Sequence, residues 1–308
     1  MEQLYQRDVY GQTLVKLGEQ DKDIVVLDAD LSSSTRTNLF AQKFPQRFFN
    51  FGVAEQNMMA TAAGLASCGK KVFLSTFAVF AAGRAWDQVR VSVSYNNFDI
   101  KIVATHAGIT VGPDGASHQA LEDIALMRVL ANMSIIVPAD GPQTQDAVLA
   151  AAKNPGPFYI RLGRAKVPTL EAQSEFKFGR GQLITDGKDV TVMACGIMVQ
   201  EALLAAKNLA CRGISVRLIN LHTIRPLDSE IVLKAAQETK LIVVCEEHNT
   251  IGGLASSVDE IIAEKYPVKV IRVGVRNRFG QSGEPQELLK EYALTGPDIE
   301  KAVLSNLA

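Results

Sequence analysis

The segment FFNFGVAEQNMMATAAGLASCGKKVFLSTF (residues 48–77) is the strongest indication of the class of fold. It contains a helical run with no charged residue from Met58 to Cys68, followed by the apolar, β-type run KKVFLSTF. A surface helix carries charges on its outer face, so we expect a helix that is enclosed on all sides. One acid, Glu55, precedes this run. It is either a plain first-turn acid, which the helix dipole stabilises by about 0.3 to 1 kcal/mol, or a functional carboxyl in a dry environment.

Short β-branched runs recur along the whole chain, separated by amphipathic or alanine-rich segments. The first half contains DIVVLDAD, KKVFLSTF, IKIVATH, MSIIVPAD and PFYIRLG, and the second half contains DVTVMACG, ISVRLIN, KLIVVCEE and VKVIRVG. Apolar runs of this length between helical segments are typical of parallel strands. The sequence therefore predicts an α/β protein with two consecutive domains, each a mainly parallel sheet with helices on both faces.

The predicted domain boundary lies in a segment that is rich in glycine and charge, RAKVPTLEAQSEFKFGRGQLITDGK (residues 164–188). Because it lacks long apolar runs, it is predicted to be a connector. We place the first domain at residues 1–165, a linker at 166–187 and the second domain at 188–308. In the second domain, the polar segments LHTIRPLD and CEEHNTIGG contain no obvious reactive group, so a structural or oligomer-contact role is expected for them.

The composition narrows the range of partners. The chain has 308 residues, of which 47% are hydrophobic and 21% are charged, and its formal net charge is -1. The mixed charges leave no basic surface for nucleic acid and no polybasic patch for a membrane, so neither partner is predicted. The absence of a signal core or a long apolar run predicts a cytoplasmic protein. The cysteines lie far apart in apolar segments and are expected to be buried reduced thiols.

Two histidines and an aspartate lie among glycines in HAGITVGPDGASHQ (residues 106–119), which we call the histidine loop. Glycines allow the backbone to approach a ligand closely, and the side chains of His106, Asp114 and His118 can exchange protons with hydroxyl and carbonyl groups. Their spacing matches no common metal site, so the loop is expected to bind a polyol without a metal ion. Since the carboxyl ends of parallel strands meet at one edge, this loop, DADLSSSTRTN and RLGR should converge on one site.

The first half of the chain resembles the pyrimidine-binding domain of transketolase. The resemblance is carried by residues 48–90, by THAGITVGPDGASHQALEDIALMRVLANMSIIVPAD and by PFYIRLGRAKVP. The second half, with VIRVGVRNRFGQSGEPQELLKEYALTGPDI near its end, resembles the transketolase C-terminal domain. The resemblance covers nearly the whole chain in the same order. It implies transfer of a two-carbon ketol unit from a ketose phosphate to an aldose phosphate, with thiamin diphosphate as the cofactor.

The resemblance implies a catalytic role for Glu55, which stands in the family's motif GVAEQNM. In the family this glutamate hydrogen-bonds a ring nitrogen of the cofactor's aminopyrimidine, so that the exocyclic amine can act as a base. Burial in apolar surroundings favours such sharing of a proton. The resemblance also places Phe77 and Phe80 around the aminopyrimidine and Asp30 near the cofactor. Leu74 stands where many relatives have an aromatic residue, so one wall of this pocket is expected to differ.

The same resemblance implies two groups of sugar-binding residues. His106, Asp114 and His118 are expected to contact sugar hydroxyls, and both histidines are expected to be catalytic, with His118 transferring a proton at the substrate oxygen. The residues expected to bind the sugar phosphate are Arg7, Ser34 and Arg164. Two guanidiniums and a hydroxyl suit a phosphate well, because they offer several donors to its oxygens.

The family's diphosphate-binding domain is marked by a G-D-G motif that holds a divalent metal, and no GDG occurs in this sequence. The chain therefore resembles the C-terminal subunit of a split transketolase. The expected partner is an N-terminal transketolase subunit that binds the diphosphate. The Mg²⁺ or Ca²⁺ ion is expected to be bound mainly by this partner, within an assembly that has a two-fold axis. Three alternatives stay open: a 1-deoxyxylulose-5-phosphate synthase-like enzyme, the beta subunit of a 2-oxo acid dehydrogenase, and a non-catalytic scaffold.

Overall fold

The structure, a computed structural model, describes residues 2–171 and 175–307. Its strands are β1 (Gln3–Tyr5), β2 (Ile24–Asp28), β3 (Phe48–Asn50), β4 (Lys71–Phe77), β5 (Ile100–Thr105), β6 (Ser134–Ile136), β7 (Phe158–Arg161), β8 (Lys166–Pro168), β9 (Gln182–Thr185), β10 (Val190–Ala194), β11 (Val216–Asn220), β12 (Thr223–Arg225), β13 (Leu241–Asn249) and β14 (Lys269–Val275).

Its helices are α1 (Gln6–Gln20), α2 (Ser32–Thr35), α3 (Asn38–Lys43), α4 (Glu55–Ser67), α5 (Trp86–Gln88), α6 (Asp123–Arg128), α7 (Gly141–Lys153), α8 (Met198–Ala210), α9 (Ser229–Glu238), α10 (Leu254–Lys265), α11 (Pro285–Glu291) and α12 (Gly296–Leu304). Short 3-10 segments occur at Pro45–Arg47 and Ile109–Asp114, and π-helical segments occur at Phe80–Arg84 and Val89–Ser94.

The first sheet has the strand order β12-β6-β7-β5-β4-β2-β3. Its strand pairs are parallel, apart from the antiparallel pair of β12 with β6. Strand β2 shows how both faces are covered: Ile24 and Val26 pack in one core with α1 and α7, while Val25 and Leu27 pack in another with α4. A strand that is buried on both faces needs a continuous apolar run, and this is the pattern that the sequence shows.

The second sheet has the order β14-β13-β10-β11-β9 and is parallel apart from the pair of β11 with β9. One face packs against α8 and α12. On the other face, Met193, Ile242 and Val244 belong to the same buried cluster as Val25 and Leu27 of the first domain. The two sheets therefore share a continuous apolar interface, and the predicted fold class is confirmed.

The segment predicted as a connector contains two strands that the sequence pattern did not indicate. Strand β8 pairs antiparallel with β1, and β9 pairs antiparallel with β11 at an edge of the second sheet. Both strands are short and find their partners far away in the chain, so no local alternation of apolar residues marks them. Residues 172–174 of the predicted linker lie outside the described residues, and the domain boundaries themselves stay a prediction.

The expectation that α4 is enclosed on all sides is wrong for this chain. Met58 and Met59 are fully buried, whereas Ala60 and Gly64 on the opposite side are exposed. The physical reason is that alanine and glycine carry little apolar surface, so their exposure to water costs little free energy. The absence of charge on a helix therefore does not require that the rest of its own chain covers it.

The expectation of buried cysteines holds for only half of them. Cys195 and Cys245 are buried, and burial raises the pKa of both thiols. Cys68 and Cys211 are exposed. Each of the exposed cysteines follows the last residue of a helix, α4 and α8 respectively, where the chain turns at the surface. An apolar sequence neighbourhood does not reveal this position at a helix end.

Candidate active site

Glu55 is the first residue of α4, and its side chain is only 1% exposed. The unpaired backbone N–H groups of a helix N-terminus favour an acid at this position. Both carboxylate oxygens accept hydrogen bonds of 2.9 Å from Nη1 of Arg84. Glu55 is therefore dry, as predicted, but its surroundings are not wholly apolar, because a guanidinium faces the carboxylate.

Arg84 is a site residue that the sequence pattern did not indicate. It ends the π-helical segment Phe80–Arg84, and its guanidinium carbon lies 4.5 Å from the centre of the Phe80 ring. Its backbone carbonyl accepts a hydrogen bond of 3.1 Å from the side chain of Gln56. The signal that points to such a residue is chemical: a buried carboxylate needs a cation or several donors. Arg84 is the cation that follows the two predicted aromatic residues.

The aromatic residues and the histidine loop lie against each other. Phe77 ends β4, and its ring stacks with that of Phe80 at a centroid distance of 6.0 Å. The ring of His106 stacks on Phe77 at 3.8 Å, and His118 approaches Phe80 edge-on at 5.5 Å. One set of contacts thus runs from Glu55 through Arg84 and the two phenylalanines to both histidines.

His106 is held as a neutral imidazole. It follows β5 directly, adopts a left-handed φ of 57°, and its Nδ1 shares a hydrogen bond of 2.9 Å with the Thr105 hydroxyl. Burial, together with the positive charges of Arg7 and Arg164, lowers the pKa of His106 to about 3. A neutral imidazole has one donor and one acceptor nitrogen, so near pH 7 His106 can hydrogen-bond a hydroxyl group in either sense.

Arg7, Arg36 and Arg164 form what we call the basic cluster. Burial and the charges of Arg36 and Arg164 lower the pKa of Arg7, whereas Asp8 raises it. Nη1 of Arg7 donates to the Ser34 carbonyl at 3.3 Å. The structure therefore brings together the three residues predicted to bind a phosphate. Arg36 lies beside them, and its Nε donates a hydrogen bond of 2.6 Å to the carboxylate of Asp8.

The basic cluster also touches the histidine loop. Nη1 of Arg164 donates a hydrogen bond of 2.9 Å to the carbonyl of Val111. The loops that follow β2, β5 and β7 thus meet at the carboxyl edge of the first sheet, as the arrangement of parallel strands predicted.

Asp30 and Asp114 stand apart from these contacts. Asp30 is exposed, and it exchanges hydrogen bonds of 3.0 and 3.2 Å with the side chain of Asn50. Asp114 is exposed at the end of the segment Ile109–Asp114. Across residues 2–171 and 175–307, neither carboxylate hydrogen-bonds or pairs with another predicted site residue. Their expected roles at the cofactor and the sugar stay predictions.

The site offers groups for proton exchange and for anion binding: a buried carboxylate, two imidazoles and the basic cluster. Among the described residues there is no group of three or more His, Cys, Asp or Glu side chains that could hold a metal ion. None of the helices that these residues form has the length and apolar character needed to cross a membrane.

The fold and site together define a protein in which an α/β domain, with the candidate site at the carboxyl edge of its sheet, precedes a second α/β domain. The family model described as "Transketolase, pyrimidine binding domain" matches residues 2–169, and that described as "Transketolase, C-terminal domain" matches residues 179–299. The chain belongs to the transketolase family and corresponds to the C-terminal section of its members, which confirms the resemblance seen in the sequence.

Its relatives include chains of similar length. A provisionally named transketolase C-terminal section of Methanocaldococcus jannaschii is 47% identical over 305 residues, which are 98% of this chain and 96% of the relative. The 6-deoxy-6-sulfo-D-fructose transketolase subunit of a Clostridium species is 40% identical over 303 residues, with 98% and 94% covered. A solved structure described as a split gene transketolase in an inactive beta4 tetramer superposes with a TM-score of 0.92 at 51% identity, covering 99% of this chain and 98% of that one.

Proposed function

We propose that this chain is the C-terminal subunit of a two-chain transketolase that transfers a two-carbon ketol unit from a ketose phosphate to an aldose phosphate. The observation that carries the proposal is the continuous set of contacts from Glu55 to the basic cluster. It brings a dry acid, a neutral imidazole and a group of guanidiniums to one edge of the sheet. Ketol transfer needs these three kinds of group, for the cofactor, the sugar hydroxyls and the phosphate.

The residues around Glu55 fit the pyrimidine half of thiamin diphosphate. A carboxylate has about four lone-pair positions, so Glu55 can accept from Arg84 and still hydrogen-bond a ring nitrogen. The Phe80 ring lies in the same place, with the Arg84 guanidinium carbon 4.5 Å from its centre. When bound, thiamin diphosphate supplies a carbon nucleophile that adds to the ketose carbonyl.

The chain's own residues then have distinct tasks. Glu55, which is only 1% exposed, holds a proton at the pyrimidine ring nitrogen. His106 remains neutral and hydrogen-bonds a sugar hydroxyl, while His118, which is only partly buried, moves a proton at the substrate oxygen. The guanidiniums of Arg7 and Arg164 bind the phosphate and so fix the distance between the reacting carbon and the imidazoles.

The diphosphate half of the cofactor is held in the family through a divalent metal, and the described residues contain no cluster of ligands for one. A diphosphate requires a cation or helix N-termini in place of its water, and no cluster of metal-ligating side chains occurs in residues 2–171 and 175–307. We therefore assign the diphosphate and the Mg²⁺ or Ca²⁺ to an N-terminal partner subunit. By the symmetry of the family, the assembly has two copies of each chain around a two-fold axis.

The substrate class follows from the basic cluster. The guanidiniums of Arg7 and Arg164 favour an anionic sugar, and the phosphate is the group that we propose. The Clostridium relative is named for a sulfo sugar, whose sulfonate carries a single negative charge where a phosphate carries up to two. The two guanidiniums of Arg7 and Arg164 suit the doubly charged group better, because the Coulomb attraction grows with the charge.

The test is an assay of the reconstituted complex. The purified chain is mixed with the candidate N-terminal subunit, thiamin diphosphate and Mg²⁺, and ketol transfer is followed for phosphorylated, sulfonated and uncharged ketoses. We expect transfer only when both chains are present, with the highest kcat/KM for the phosphorylated donor. If the assembled complex transferred a ketol unit from none of these ketoses, the proposal would be contradicted.

A further inference from the structure

Glu247 of the second domain reaches across the domain interface to the histidine loop. It lies on β13 and is only 4% exposed. Its Oε1 accepts a hydrogen bond of 2.7 Å from the backbone N–H of Thr110, in the middle of the loop. This carboxylate belongs to the CEEHNTIGG segment, for which the sequence indicated no reactive role.

The histidine loop has the shape needed to receive this carboxylate. Gly108 adopts a φ of 82°, and a Cβ at this position would overlap the carboxyl group of Glu247. The loop backbone therefore packs directly on the acid. Burial raises the pKa of Glu247, whereas the nearby Arg161 lowers it. Arg161 also donates to the backbone carbonyl of Glu247 at 3.0 Å.

A second contact with the same domain holds the far end of the loop. The side-chain amide of Gln119 donates to the carbonyl of Ile109 at 3.0 Å and to the carbonyl of Gln281 at 2.9 Å. A Cβ on Gly280 would overlap this amide, so the fit is close here too. The second domain thus contacts the histidine loop near His106 and near His118. Of these two contacts, the one at Glu247 is made by a buried ionisable side chain.

We infer that Glu247 is a positioning residue for the sugar-binding histidines: by holding the Thr110 amide, it fixes the loop from which His106 and His118 reach the substrate. This inference rests on the proposed function. It gives the second domain a task in catalysis, although Glu247 is not among the residues proposed to bind the sugar. A displacement of about 1 Å in such a loop can cost about 10²-fold in rate, because the reacting groups no longer meet at the required distance.

Two substitutions separate the reach of the side chain from its charge. Glu247→Gln keeps the length and an oxygen that accepts from Thr110, but it removes the charge. Glu247→Asp keeps the charge, but it shortens the side chain by about 1.5 Å, so the carboxylate no longer reaches the amide. If Glu247 positions the loop, the length of the side chain matters more than its charge. Glu247→Asp should then raise the KM for the sugar about tenfold or more, whereas the KM of Glu247→Gln should stay within about fivefold of wild type.

Glu246, the preceding residue, provides a matched control. It is also fully buried, but its carboxylate accepts from the N–H groups of Leu254 and Ala255 at the start of α10, within the second domain. Glu246→Asp and Glu246→Gln should lower thermal stability without changing the sugar KM. In every variant, the affinity for thiamin diphosphate should be unchanged.

A measurement that needs no activity tests the contact itself. Amide hydrogen exchange of the full chain should show faster exchange in residues 106–119 of Glu247→Asp, and no change there in Glu247→Gln or in Glu246→Asp. If the wild-type complex transfers no ketol unit, the proposed function fails, and the exchange result still decides whether Glu247 holds the loop. Unchanged exchange in Glu247→Asp, an unchanged sugar KM, or an equal rise in KM for Glu246→Asp would overturn the inference.

Discussion

Glu55→Gln is the substitution that tests proton sharing at the cofactor. The amide keeps the size of the side chain and one oxygen that can accept the hydrogen bond from Arg84. It cannot hold a proton at the ring nitrogen of the aminopyrimidine. The loss of an acid–base function lowers turnover by about 10² or more, which corresponds to about 2.7 kcal/mol of activation free energy.

The effect on folding should be smaller than the effect on turnover. The Arg84 side chain is 45% exposed, so water can solvate the guanidinium when its partner loses the charge. With this screening, the ion pair contributes about 1 kcal/mol at most to the free energy of unfolding. Turnover and stability should therefore separate: a large fall in kcat accompanies a small shift in the midpoint of urea unfolding.

The assay uses the complex of this chain with its N-terminal subunit, and it measures kcat for ketol transfer beside urea unfolding of the chain. Glu201→Gln is the matched control. Glu201 lies in the first turn of α8 and accepts a hydrogen bond of 2.7 Å from the backbone N–H of Gly296. It therefore undergoes the same chemical change in the second domain. Turnover of Glu55→Gln within about threefold of wild type, or an equal loss in Glu201→Gln, would refute the role of Glu55.

Two further predictions concern the sugar-binding side of the site. Arg164→Ala should raise the KM for phosphorylated sugars about tenfold or more, since a charge-assisted contact contributes about 1.5 to 3 kcal/mol. The KM for uncharged sugars should stay nearly unchanged. An equal rise in KM for both kinds of sugar would mean that Arg164 serves only to hold the carbonyl of Val111. Burial lowers the pKa of His106 to about 3 in the folded chain. As the pH falls below about 6.5, the imidazole is therefore protonated in the unfolded chain but not in the folded one, and the free energy of unfolding should decrease. Between pH 7.5 and 5.5, the free energy of unfolding, measured with urea, should fall by about 1 kcal/mol less in His106→Gln than in wild type. An equal fall in both proteins would contradict the neutral imidazole.

The fold followed from the sequence because its main strands are buried on both faces. Such strands require continuous runs of β-branched residues, as in IVVLD of β2 and VTVMA of β10. Strands β1 and β8, which the sequence pattern does not indicate, have only three residues each. They pair with each other although most of the first domain separates them in the sequence. Their formation depends on tertiary contacts, which no local pattern records.

The site was predictable to the extent that single residues carry its chemistry. Their motifs and the family resemblance make Glu55, His106 and Arg164 candidate site residues, and the structure connects them through neighbouring residues. The pairing of Glu55 with Arg84 was not predictable, because it depends on the π-helical turn that brings residue 84 back to the start of α4. The contact of Glu247 with Thr110 joins residues 137 positions apart, so it too exists only in the folded chain.

Calorimetric titration of thiamin diphosphate with Mg²⁺ tests the two-chain account most directly. One titration uses the purified chain, and the other uses the chain mixed with the candidate N-terminal subunit. We propose that Glu55 and Phe80 contact the pyrimidine, whereas the described residues contain no group of three or more side chains that could hold the metal. We therefore predict tight binding of one cofactor per pair of chains in the complex, and no saturable binding to this chain alone. Tight binding of thiamin diphosphate by the chain in the absence of the partner would contradict the account.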